Sequence, residues 1–108
     1  MVWREVGGVT LTNVELKKWI SDIVIDEDEL NNIIVLEGDE FADAVVGITV
    51  NNELVYSYEL IVKSLVEKCN ISEDEAIEFI EYNTIRSIPY MSGYGNAPII
   101  LRYARGDV

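Results

Sequence analysis

The sequence predicts a small single α+β domain: an antiparallel β-sheet containing a β-hairpin, with about three helices packed on one face. Three observations carry this. Ala44 to Val50 is a β-branched run, and Leu54-Val55-Tyr56 follows it after Asn51-Asn52-Glu53, residues that tolerate turn or left-handed geometry. Two stretches beginning at Tyr58 and Glu73 space their apolar residues three and four apart, each behind a serine able to cap a helix. Ile99-Ile100-Leu101 has the composition of a central strand that would pair with the hairpin.

At 108 residues the chain has room for one core, because a second would leave each half too little apolar surface to bury. Hydrophobic residues make up 49% and charged ones 26%, an ordinary globular balance that argues against a disordered chain. No apolar run approaches the roughly 20 residues of a membrane helix. Met1-Val2-Trp3-Arg4-Glu5 lacks the basic-then-apolar layout of a signal peptide, so a cytosolic protein is expected. Three regions follow along the chain: an N-terminal helix and strand over 1–40, the hairpin, two helices and final strand over 41–101, and a tail over 102–108.

Composition narrows the chemistry. The chain has no histidine, which removes the commonest general base near neutral pH and the usual transition-metal ligand. Its one cysteine, Cys69, cannot form an internal disulfide and reads as a small buried hydrophobe late in a helix. No enzyme, metal or cofactor is expected. Twenty acidic residues against eight basic ones give a net charge of −12, which repels phosphate backbones and anionic membranes and favours basic protein surfaces.

In the N-terminal region, Val2 to Val9 reads as a short edge strand or an arm over the core, and Trp3 or an exposed strand edge could support a homodimer. Thr12 or Asn13 caps a helix whose Leu16, Trp19, Ile20 and Ile23 form the buried stripe. Asp26-Glu27-Asp28-Glu29 fails as a calcium loop, because the fifth and sixth positions counted from Asp26 are Leu30 and Asn31 rather than an oxygen ligand and a glycine. It reads as a solvated turn or helix start. Ile33 to Leu36 reads as a short strand closed by the turn Glu37-Gly38-Asp39-Glu40.

The first of the two later helices runs from Tyr58 to about Cys69, with Tyr58, Ile61, Val62, Leu65, Val66 and Cys69 on its apolar face and Asn70 ending it. Ser72 and Glu75 stand at capping-box spacing and start the next, which runs to about Tyr82 with Ala76, Ile77, Phe79 and Ile80 available to the core. Two adjacent helices invite a helix-turn-helix reading. The second carries Glu73, Asp74, Glu75, Glu78 and Glu81 with no basic residue before Arg86, so it cannot read DNA. That face is solvated in the ordinary reading; it could also imitate the charge spacing of a nucleic-acid backbone and occupy a basic groove on another protein.

Tyr82, Asn83, Thr84, Arg86 and Tyr90 form a second candidate site, since tyrosine and arginine are the usual binding anchors. The alternatives are structural: Asn83 ending the helix, Arg86 pairing with Glu81 or Glu78, the tyrosines packing on the sheet. Pro89 is expected to stop helical continuation, and Ser92 to Asn96 to form a glycine-rich turn.

Phe41-Ala42-Asp43-Ala44-Val45-Val46-Gly47, Val55-Tyr56-Ser57-Tyr58, Glu75-Ala76-Ile77-Glu78-Phe79-Ile80-Glu81-Tyr82-Asn83-Thr84-Ile85-Arg86, Pro89-Tyr90-Met91 and Ala97-Pro98-Ile99-Ile100 together resemble a group of short bacteriophage and prophage proteins. The resemblance spans about Phe41 to Leu101, with a longer turn at Gly93 to Asn96. It implies a phage setting, in which small acidic proteins often bind and disable a host defence or nucleic-acid enzyme. The leading expectation is therefore a non-enzymatic protein that binds and inhibits a host protein with a basic surface. The alternatives are a binder or sponge for a nucleotide-like ligand, with Arg86 facing its phosphate, and a structural or oligomer-forming protein.

Overall fold

The computed structural model describes residues 12–102, so the expected N-terminal arm at Val2 to Val9 and the end of the tail lie outside the described residues. The hairpin is present as β1 (Val45–Ile48) and β2 (Leu54–Ser57), paired antiparallel. Asn52 adopts the left-handed conformation at φ 62°, and its N–H donates to the Thr49 carbonyl at 3.0 Å to close the turn. The register runs Val45↔Tyr56, then Gly47↔Val55, which leaves Val46 as an extra residue in β1. This is a bulge, and it turns Val46 outward. A Cβ on Gly47 would meet nothing, so the glycine marks the bulge rather than a close approach.

The third strand, β3 (Ile99–Leu101), lies on the other side of β2 and runs parallel to it, with Val55↔Ile99 and Ser57↔Leu101 in register. The sheet is therefore mixed, not wholly antiparallel. A parallel neighbour needs a long crossover, and the chain supplies one made of helices. The α+β class stands, with more helical segments than the expected three.

Those before the hairpin are α1 (Asn13–Ile23), α2 (Glu27–Asn31) and α3 (Asp39–Ala42). Thr12 and Glu15 form a capping box on α1, and Asp26 caps α2 by accepting the N–H groups of Asp28 and Glu29. Leu16 and Ile20 are buried as expected, but Ile23 is exposed. The helix ends there, and the extended Val24 turns into the core in its place.

Ile33 to Leu36 is not a strand. Ile33 makes a single parallel bridge to Asn96, with the Asn96 N–H on the Asn32 carbonyl at 2.7 Å and the Ile34 N–H on the Asn96 carbonyl at 3.4 Å. The next rung of such a ladder would need an N–H at position 98, and Pro98 has none. The N–H of Leu36 goes instead to the buried Tyr56 hydroxyl at 3.0 Å.

After β2 come α4 (Tyr58–Cys69) and α5 (Glu73–Phe79), then a π-helical turn over Ile80–Thr84, a 3₁₀ turn over Ile85–Ser87 and α6 (Ile88–Met91). Pro89 begins a short helix rather than ending a long one. It has no N–H for the Ile85 carbonyl, and Ile88 supplies that hydrogen bond from one residue closer, which tightens the turn into 3₁₀ geometry.

The core joins these layers. Leu16, Phe41, Ala44, Val45, Leu54, Tyr56, Ile61, Leu65, Ala76 and Ile80 are buried in one cluster. Cys69 is exposed, contrary to expectation, because α4 ends there and its buried side is already supplied by Ile61, Ser64 and Leu65.

Candidate functional site

The candidate surface is built by the turn between α4 and α5. Asn70 takes the left-handed conformation at φ 54°, ψ 45°, which ends α4 and redirects the chain. Ser72 accepts the Glu75 N–H at 3.1 Å, and the Glu75 carboxylate accepts the Ser72 N–H at 3.0 Å. This reciprocal cap starts α5 beside α4. The bond from the Ser72 backbone, and then that from its side chain, holds the Glu75 carboxyl below the usual glutamate range.

Helical spacing then divides the acidic face of α5 in two. Glu73, Ile77 and Glu81, four apart, form one row facing α4. Opposite them stand Tyr58, Val62 and Val66 of α4, with Glu59, Lys63 and Glu67 along its outer side. Between the rows lies an open groove of about 570 Å³. Tyr58 helps close it, donating its hydroxyl to Glu81 Oε2 at 3.0 Å while the Arg102 guanidinium lies 5.4 Å from its ring centroid. Arg102, Tyr58 and the α4 row were not foreseen as site residues. The sequence signal for the α4 row was the breadth of its apolar face, wider than a single buried stripe needs; Arg102 had none.

The second row, Asp74, Glu78 and Tyr82, borders a shallower depression of about 510 Å³ that also includes Ile85 and Arg86. Here the Arg86 guanidinium sits over the Tyr82 ring, 5.2 Å from its centroid, rather than pairing with Glu81 or Glu78. Such a contact is worth about 0.5–1 kcal/mol at an exposed site. Tyr82 is 61% exposed and Tyr90 79%, so neither packs on the sheet. Asn83 and Arg86 are also exposed. Thr84 is buried at 5% on the core side of the π-turn and does not line the depression. Asn83 and Tyr90 do not line the depression with Tyr82 and Arg86.

Glu73, Asp74, Glu75, Glu78 and Glu81 are all exposed. Among the described residues no three His, Cys, Asp or Glu side chains come together as a metal-ligand set would. No helix among them is long and apolar enough to cross a membrane. No protein-family model, curated protein or solved structure matches the chain.

Proposed function

We propose that this is a non-enzymatic binding protein of the phage accessory kind its motifs resemble, which works in the host cytosol by covering a basic surface of a host protein and so inhibiting it. The observation that carries the reading is the α5 surface, where carboxylates on both flanks of one helix stand in solvent beside two concave, partly apolar surfaces. A net charge of −12 supports the same preference by steering encounter towards cationic partners. The nucleotide-sponge alternative is weaker, because Arg86 shares its depression with Asp74, Glu78 and Glu81, whose charges oppose a phosphate.

The test is capture of partners from host lysate by the tagged protein at low and high salt, beside the variant Asp74→Lys/Glu78→Lys. The expected result is a basic partner retained at low salt, released at high salt and lost by the variant. A partner indifferent to both would overturn the proposal.

A further inference from the structure

We infer that the groove between α4 and α5 receives one amphipathic, basic α-helix of a partner protein. The inference rests on the binding function proposed above and adds the seat and the form of the ligand. A third helix packs naturally into the furrow between two neighbouring ones, and apolar anchors in such a groove are a common recognition mode. The floor here is Val62, Val66 and Ile77.

Charge selects the occupant. Glu59 and Glu67 stand on α4, eight residues and so about 12 Å apart along the helix, and Glu73 at the start of α5 stands on the other side with Glu81 of the π-helical turn that follows it. Lys63 and Arg102 are the cations of the lining, which leaves four carboxylates against two positive groups. A purely acidic edge on the α5 side and an α4 edge with Lys63 between its two carboxylates flank an apolar floor. Together they complement a helix whose apolar stripe is bordered by lysine or arginine, most heavily on the side towards α5. An acidic helix or a phosphate-bearing ligand meets net repulsion from the carboxylate excess of the lining.

The experiment uses the full chain, labelled with ¹⁵N, titrated with a synthetic leucine–lysine amphipathic helix and with its twin carrying glutamate at every lysine position. The lysine peptide is expected to shift the amide resonances of Val62, Val66, Glu73 and Ile77, and the glutamate twin to leave them in place. Glu59→Gln/Glu67→Gln/Glu73→Gln changes exposed residues only and is expected to weaken the lysine peptide about tenfold or more while the protein stays folded at the titration temperature. Shifts absent from the groove, equal response to both peptides, or unchanged affinity in the triple variant would overturn the inference. The two proposals separate through the lysate partner. If Asp74→Lys/Glu78→Lys abolishes capture while the triple glutamine variant retains it, the binding function stands and the groove assignment falls; if neither variant affects capture, both fall.

Discussion

The phenolic oxygen of Tyr56 accepts the backbone N–H of Leu36 at 3.0 Å within the core, tying the segment after α2 to the central strand of the sheet. Replacing Tyr56 by phenylalanine keeps the ring but leaves that N–H without its acceptor. The expected cost is about 1–3 kcal/mol of unfolding free energy, read from urea denaturation.

The same residue makes stability depend on alkaline pH. Burial pushes the Tyr56 hydroxyl up from 10.0 to about 12, partly offset by the Leu36 hydrogen bond. Between those values the unfolded chain has released a proton that the folded chain retains, so rising pH favours unfolding. The contribution is intact below about pH 10 and is lost as pH rises through about 12, amounting to about 2–3 kcal/mol. Unfolding midpoints measured across this range should fall, and Tyr56→Phe should flatten the fall.

Ser72→Ala removes one half of the capping box on α5 and should destabilise the protein by about 1 kcal/mol, with Ser72→Asp restoring most of the loss. Because α5 carries one wall of the groove, amide exchange in Glu73 to Ala76 should rise first. Uniform exchange across α4 and α5 would show that the cap has no local role.

Gly95 approaches the chain after α2 so closely that a Cβ there would lie 2.5 Å from the Asn32 carbonyl oxygen. The obstruction is backbone and cannot swing aside. Gly95→Ala is expected to cost about 1–3 kcal/mol and to lower the melting temperature, whereas Gly93→Ala, with open space around it, should not.

Cys69 is exposed at the end of α4. An aromatic disulfide reagent should therefore modify it stoichiometrically in the folded protein, without denaturant. Protection until unfolding would contradict the exposure.

Local signals in the sequence were the dependable ones. Ser57 and Ser72 announce helix starts through hydrogen bonds to their own neighbours and Asn70 a helix end through its tolerance of the left-handed conformation, so the limits of α4 and the start of α5 are legible from a few residues. The direction of β3 was not, because Ile99-Ile100-Leu101 has the same composition whether it runs with or against β2. Only the helical crossover before it hints at the parallel choice. Ile33 to Leu36 misled for a related reason: its residues suit a strand, but Pro98 on the facing segment withholds a donor.

The candidate surface was legible in part. The acidic residues of α5 and the exposed Tyr82 and Arg86 were marked by charge and residue type, but Arg86 lies over the Tyr82 ring and not against the carboxylates its charge suggested. The π-turn carries no comparable sequence signature, so the inward turn of Thr84 was invisible. The groove depends on which half-buried residues of α4 meet which row of α5, a tertiary fact.

The parallel pairing of β2 with β3 also bears on how this protein can diversify. Nearly all of the candidate surface lies on the single stretch that leaves the sheet at Ser57 and returns at Ile99; only Arg102 is supplied from beyond it. That stretch is a cassette between two adjacent strands. It also supplies Ile61, Leu65, Ala76 and Ile80 to the core, so substitutions confined to its exposed rows can reshape the surface while the hairpin and the sheet register stay as they are.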